Sequence, residues 1–132
     1  MRLHCLCGQV SITFDDRPDF IHECNCTLCR KSGAQWAYLH PDLVTVIGET
    51  VGYRRDDKVM PAAETHSCSN CATTTHFVLT DQVIAEHGNA MMGVNMRLAD
   101  PNDLRGLELR YPDGASWDGI GEFGYVRPPL TL

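Results

Sequence analysis

Short stretches in which apolar and polar residues alternate recur along the chain, and this period of two is typical of half-buried β-strands. In the segment QVSITF (9–14), Val10, Ile12 and Phe14 alternate with polar neighbours. Turn-forming Gly, Pro, Asp and Asn residues separate such stretches from one another. No long segment has a helical period, so the pattern predicts a mainly β fold of antiparallel sheets with little helix.

One short helix is expected at 27–33, with Thr27 as its N-cap and Gly33 directly after its last turn. Further strands are predicted at 35–40, 43–48, 50–55, 64–69, 73–80 and 82–87, and the segment 107–117 is predicted to be a strand that runs into a Pro-Asp-Gly turn. The strands at 50–55 and 64–69 are expected to pair with each other. The strands at 73–80 and 82–87 are also expected to pair, through a turn near Asp81. The C-terminal tail is predicted to be extended.

Length and composition predict a single domain spanning residues 1–132. The chain has 17 acidic residues against 11 Lys and Arg, a formal net charge of −6. A polyanion would be repelled on average, so we expect no nucleic-acid partner. No apolar run approaches a membrane span and no apolar leader follows Met1, so we expect no membrane partner and a cytoplasmic protein with reduced thiols.

The seven cysteines are bunched in three groups, CxC, CxCxxC and CxxC, and this grouping is a poor framework for disulfides. The segments CLCG (5–8) and CSNC (68–71) supply four cysteines, enough for a closed structural zinc site. The segment CNCTLC (24–29) supplies three more. Three protein ligands and one open position are typical of a catalytic zinc, so the count divides into one site for folding and one for chemistry.

The spacing alone leaves other interpretations open. A CxxC pair can be a redox centre, although no βαβ pattern surrounds either candidate. An iron–sulfur cluster uses similar cysteines. Both zinc sites can also be purely structural, with His22 or an acidic residue completing the second.

The ordered set of CLCGQV, CNCTLCRKSG, IGETVGYRR and CSNC, followed by VNMRLADP and LELRYPDGASW, resembles one known family. It is the glutathione-dependent formaldehyde-activating enzyme and centromere protein V family, which has the Mss4-like β fold. Two positions depart from the usual family pattern. Asn25 replaces a histidine between the first two cysteines of the cluster, and Ala72 replaces a glycine after the last cysteine.

The resemblance implies two zinc ions per chain and assigns their ligands. The structural ion would be held by Cys5, Cys7, Cys68 and Cys71. The catalytic ion would be held by Cys24, Cys26 and Cys29. The implied reaction is that of a carbon–sulfur lyase: glutathione, held as a thiolate, adds to formaldehyde and forms S-hydroxymethylglutathione.

Three residues near the cluster have weaker candidate roles. Arg30 and Lys31 can meet a glutathione carboxylate or simply form a solvated turn, and His22 can carry a proton. The competing functional class is a non-enzymatic zinc-binding module for protein interaction or chaperoning, because a fold does not settle a function.

Overall fold

The computed structural model describes residues 1–132, which form eleven strands, two α-helices and two short 3-10 turns. The strands are β1 (Arg2–His4), β2 (Ser11–Thr13), β3 (Phe20–His22), β4 (Trp36–Leu39), β5 (Thr45–Ile47), β6 (Thr50–Arg54), β7 (Ala63–Cys68), β8 (Thr74–Leu79), β9 (Met92–Asn95), β10 (Glu108–Arg110) and β11 (Leu130–Thr131). The helices are α1 (Thr27–Ser32) and α2 (Asp81–His87), and the 3-10 turns are Pro41–Leu43 and Met96–Leu98.

The strands form two sheets, which confirms the prediction of a mainly β fold with antiparallel sheets. The smaller sheet has the order β1-β2-β5, and the larger has the order β11-β10-β3-β4-β9-β8-β7-β6. Every pairing is antiparallel except that of β3 with β10, which is parallel. The strands predicted at 50–55 and 64–69 pair as expected, in β6 and β7.

The main hydrophobic core contains residues of both sheets and of the C-terminal segment. Leu3 and Ile12 lie directly opposite each other in the smaller sheet, and both are fully buried. They belong to the same cluster as Ile21, Ala37 and Val94 of the larger sheet. Burial of each of the Leu, Ile and Val side chains in this set stabilises the fold by roughly 2 kcal/mol.

The other face of the larger sheet carries the residues that alternate along each strand with those of the main core. His22 of β3 lies opposite Trp36 of β4, and the Trp36 ring meets the Phe77 ring edge-on at 5.0 Å between centroids. Cys29 of α1 packs against the cluster that contains Trp36 and Phe77. The three-cysteine segment therefore lies on the face of the larger sheet that the smaller sheet leaves uncovered.

The prediction of a strand at 82–87 is wrong, because this segment is the helix α2. Its apolar residues Val83 and Ile84 are adjacent rather than alternate, and Gly88 follows its last turn. β8 instead pairs with β7 on one side and with β9 on the other, and β9 is a fully buried strand that the sequence pattern did not reveal. Neither α-helix has the length and apolar character needed to span a bilayer.

Candidate functional site

Cys5, Cys7, Cys68 and Cys71 lie together where the smaller sheet meets the end of β7. Their sulfur atoms all lie within 4.8 Å of one another. The Sγ atoms of Cys5 and Cys7 are 3.6 Å apart, and those of Cys7 and Cys68 are 3.7 Å apart. Sulfurs bound tetrahedrally to one zinc at about 2.3 Å must be separated by roughly 3.7 Å, so this set fits a zinc ion.

Neighbouring backbone and hydroxyl groups favour the thiolate forms of two of these cysteines. The Val10 amide donates to Cys5 Sγ at 3.2 Å, and Cys71 Sγ lies 3.1 Å from the Thr73 hydroxyl. The Thr73 hydroxyl and amide lower the pKa of Cys71 to about 5. A thiol that ionises below neutral pH is ready to bind a metal cation.

The turn after Cys71 is built on an alanine with left-handed backbone geometry. Ala72 has φ of 58°, and its amide donates to the Cys68 carbonyl at 2.9 Å. A residue with a Cβ atom pays about 1 kcal/mol for this conformation, whereas glycine adopts it without cost. The position where Ala72 replaces the family's glycine is therefore strained.

We expect Ala72→Gly to raise the free energy of unfolding by about 1 kcal/mol, because it removes this backbone strain. Urea unfolding of the zinc-loaded protein measures the change. Ala85→Gly, the same replacement in the exposed part of α2, is the matched control and is expected to lower stability by about 1 kcal/mol. A decrease for both variants would contradict the strain at Ala72.

Cys24, Cys26 and Cys29 form a second group, with their sulfur atoms within 4.8 Å of one another. Cys24 follows β3, and Cys26 is the N-cap of α1, where its side chain accepts a hydrogen bond from the Cys29 amide at 3.5 Å. The predicted N-cap, Thr27, is instead the first helical residue, since the thiol of Cys26 already serves as the capping acceptor. Gly33 follows the helix with left-handed geometry, as predicted.

The three thiols cannot all ionise together without a compensating cation. Contacts with Cys24 and then Cys29 lower the pKa of Cys26 to about 2. Contacts with Cys24 and Cys26 in turn raise the pKa of Cys29 far above its ordinary value. A bound cation would remove the repulsion between neighbouring thiolates and allow all three thiols to ionise. The donor set therefore fits a thiolate-bound metal such as zinc.

No His, Asp or Glu, and no further Cys, joins these three sulfurs as a fourth ligand within 4.8 Å. His22 is only 7% exposed, and neither of its ring nitrogens has a hydrogen-bond partner. Burial, and secondarily the charge of Arg110, lowers the pKa of His22 to about 4, so its ring is neutral at pH 7. Although a neutral imidazole can bind a metal, His22 is not among the residues whose ligand atoms gather within 4.8 Å at this group, so it does not complete the group as a ligand.

Two residues that sequence reasoning did not connect with the cysteines touch them directly. The Trp36 indole donates from Nε1 to Cys29 Sγ at 3.3 Å, a contact that orients the sulfur and withdraws charge from it. Gly114 approaches so closely that a Cβ atom there would lie 2.4 Å from Cys24 Sγ. Only glycine fits at this position without displacing the sulfur.

Asn25 joins the cluster to the segment that contains Gly114. Its Nδ2 donates to Asp113 Oδ1 at 2.7 Å, and its Oδ1 accepts from the Ala115 amide at 2.8 Å. These bonds hold the turn at 113–116 against the three cysteines. The asparagine that replaces the family's histidine thus has a defined positioning role in this chain.

Two cavities flank α1, and only one of them reaches the cluster. A cleft of about 740 Å³ lies between α1 and strands β6 and β7, and includes Lys31 and Arg55 but none of the three cysteines. A recess of about 410 Å³ on the other side is lined by Cys24 and Cys29 together with Arg30. Arg30 and Lys31 are adjacent in sequence but line different cavities. The recess gives access to the sulfur atoms of the cluster.

Comparison with known proteins supports the family resemblance seen in the sequence. A family model described as glutathione-dependent formaldehyde-activating enzyme matches residues 1–105. The segment LELRYPDGASW lies beyond that match. Comparison with curated proteins gave no significant match.

A crystal structure of a Rhodobacter sphaeroides protein has a similar fold. The two align with a TM-score of 0.61 and 23% sequence identity, over 81% of this chain and 97% of that chain. This likeness supports the fold, and the family match covers the cysteines of both groups. The chain belongs to the glutathione-dependent formaldehyde-activating enzyme family.

Proposed function

We propose that the protein is a carbon–sulfur lyase-type enzyme that joins glutathione to formaldehyde at Cys24, Cys26 and Cys29, and also catalyses the reverse cleavage. In the forward direction a bond forms between the glutathione sulfur and the carbonyl carbon. The thiol proton is transferred to the former carbonyl oxygen, and the product is S-hydroxymethylglutathione. No electrons are lost or gained overall, so no oxidant or reductant is needed.

We further propose that two zinc ions serve different purposes. Cys5, Cys7, Cys68 and Cys71 would hold the structural ion, and Cys24, Cys26 and Cys29 the catalytic one. When bound at the three-cysteine group, zinc supplies a Lewis acid that favours the thiolate form of a thiol substrate.

The chain's own residues would orient the reactants. The Trp36 indole holds Cys29 Sγ, and the Gly114 backbone leaves room beside Cys24 Sγ.

The observation that carries the proposal is the contrast between the two groups of cysteines. Four sulfurs gathered at one site satisfy a tetrahedral ion, whereas the second group has three sulfurs and borders a recess. Three ligands beside an accessible recess are the arrangement expected for an ion that binds a substrate.

The test is the rate of adduct formation, followed by exchange NMR with glutathione and formaldehyde in the presence of zinc-loaded protein. We expect the exchange rate to rise in proportion to protein concentration. We also expect glutathione to perturb one of two bound metal ions and to leave the other in place. The matched control is protein in which the three-cysteine ion has been removed by a mild chelator.

An exchange rate equal to that of the uncatalysed reaction at every protein concentration would overturn the proposed activity. If two metal ions were bound and neither responded to glutathione, the site would instead be closed, as in a zinc-binding module without enzymatic function.

A further inference from the structure

The recess beside Cys24 and Cys29 is lined by three arginines that come from separate parts of the chain. Arg30 lies in α1, Arg97 in the 3-10 turn Met96–Leu98, and Arg127 in the segment between β10 and β11. Glu23 is the one acidic residue in the lining. The recess is therefore positively charged, in a protein whose formal net charge is −6.

The acidic residue neutralises only one of these arginines. Glu23 Oε2 lies 3.0 Å from Arg97 Nη2, and the same oxygen accepts from Gln35 Nε2 at 2.5 Å. Neither Arg30 nor Arg127 forms an ion pair with any carboxylate of the protein. Two guanidinium groups thus remain uncompensated at the entrance to the cysteines.

Arg127 is held in place by an aromatic ring. Its Cζ atom lies 3.6 Å from the centroid of the Tyr111 ring, and Tyr111 is buried. Stacking restrains the guanidinium plane and leaves its N–H groups, which lie at the edge of that plane, free to donate. A planar, pre-oriented guanidinium suits a carboxylate, which it can bind through two parallel hydrogen bonds.

The arginines are not engaged with the sulfurs themselves. The hydrogen bonds to the three-cysteine group come from the backbone amides of Cys26 and Cys29 and from the Trp36 indole. No arginine donates to these sulfur atoms. The charge in the recess is therefore available to a ligand that lies next to the sulfurs.

Three of the recess residues, Tyr111, Val126 and Arg127, follow residue 105, where the family match ends. Tyr111 belongs to the segment LELRYPDGASW, whereas Arg127 lies in none of the segments that carry the family resemblance. Family membership therefore does not predict the cation that stacks on Tyr111.

We propose that this recess binds a carboxylate of the thiol substrate, with Arg127 and Arg30 as the residues that select anionic thiols over neutral ones. The inference rests on the proposed function, because it places the substrate's sulfur at the three-cysteine group. It adds the residues that recognise the substrate's carboxylate: the carboxylate would reach Arg127 and Arg30 while the sulfur of the thiol, or of its aldehyde adduct, lies near Cys24 and Cys29.

The test compares two thiols of equal length, 3-mercaptopropionate and 3-mercaptopropan-1-ol, by calorimetric titration of the zinc-loaded protein. We expect the acid to bind at least about tenfold more tightly than the alcohol, since each charge-assisted hydrogen bond contributes on that order. Arg127→Gln and Arg30→Gln are each expected to weaken acid binding about tenfold and to leave alcohol binding unchanged. Raising the salt concentration should reduce the preference for the acid.

The matched control is Arg105→Gln, which removes one positive charge from an exposed residue outside the recess lining. We expect this variant to keep the preference for the acid, so that a general charge effect is separated from a local one. Should Arg127→Gln fail to fold, because Tyr111 loses its stacking partner, Arg30→Gln decides the question, since Arg30 is exposed on α1.

Equal affinity of the wild-type protein for the acid and the alcohol would overturn this inference and leave the proposed function intact. A third ligand, 3-(methylthio)propionate, has the carboxylate but no thiol. If it binds in an Arg127-dependent way while neither thiol binds through sulfur, the recess is supported and the proposed thiol chemistry fails. If none of the three ligands binds, both proposals are wrong.

Discussion

Cys68→Ser is expected to leave the protein largely unfolded at room temperature. Cys68 is 2% exposed, ends β7, and lies 3.7 Å, sulfur to sulfur, from Cys7 at the edge of the smaller sheet. Closed zinc sites contribute about 10–16 kcal/mol to the folding of small domains, so loss of one ligand is expected to cost on the order of 5 kcal/mol or more. That loss is comparable to the total stability of an ordinary domain, about 5–15 kcal/mol.

Circular dichroism with urea titration and metal analysis of the purified variant measure this effect. Ser69→Ala is the matched control: it changes the exposed neighbour in the same turn and removes no sulfur, so we expect its unfolding midpoint to stay near that of the wild type. A Cys68→Ser protein that unfolds at the wild-type urea concentration with its metal content unchanged would exclude a structural ion at this site.

Cys29→Ser is expected to abolish catalysis and to preserve the fold. Serine is a poor replacement for a thiolate ligand of zinc, so the metal content should fall by one ion per chain. Without the Lewis acid the rate of adduct formation should fall roughly a thousandfold, which corresponds to a loss of about 4 kcal/mol in transition-state stabilisation. Exchange NMR and metal analysis of the same sample measure both quantities.

A second variant tests the same site without removing any sulfur. Gly114→Ala places a Cβ atom 2.4 Å from Cys24 Sγ, so we expect it to displace that sulfur and weaken metal binding. Gly124→Ala is the matched control, because a Cβ atom there meets nothing within 4 Å. Full activity and full metal content in both Cys29→Ser and Gly114→Ala would remove the three-cysteine group from the mechanism.

The two cysteine variants differ in their expected effects because the two groups occupy different places in the fold. The four-cysteine group joins residues about sixty positions apart, since Cys7 lies in the turn after β1 of the smaller sheet and Cys68 ends β7 of the larger sheet. A metal that closes so long a loop removes much of the conformational entropy of the unfolded chain. The three-cysteine group spans one short segment around the start of α1, so its loss leaves the sheets paired.

The local geometry of the cysteines could be predicted because it depends on neighbours in sequence. The pairs CxC and CxxC bring their sulfurs together through a turn of two to four residues, whatever the rest of the chain does. The same holds for Gly33, which ends α1 through its own backbone conformation. Alternation of apolar residues likewise predicted β2, in which Ile12 is buried and its two neighbours are half-buried.

The alternation of apolar and polar residues does not reveal a strand when both of its faces are buried. All four residues of β9 are buried, so Met92–Asn95 shows no contrast between its faces and was not predicted. Because the pattern did not reveal β9, it predicted that the nearby segment 82–87 pairs with β8 in its place. The register of β8 with β9 is a long-range property that the intervening α2 hides.

The sequence by itself determined the mainly β character of the chain and the three local groups of cysteines, CxC, CxCxxC and CxxC, since both follow from short-range spacing. The tertiary structure alone decided what surrounds the three thiols: Trp36 bonded to Cys29, Gly114 against Cys24, and Arg127 stacked in the recess. Arg127 lies about a hundred residues from the cysteines in sequence, and it reaches them because β10 pairs in parallel with β3 and carries the following segment back to the cluster. Such a contact depends on strand pairing across the whole chain, which no local pattern of side chains encodes.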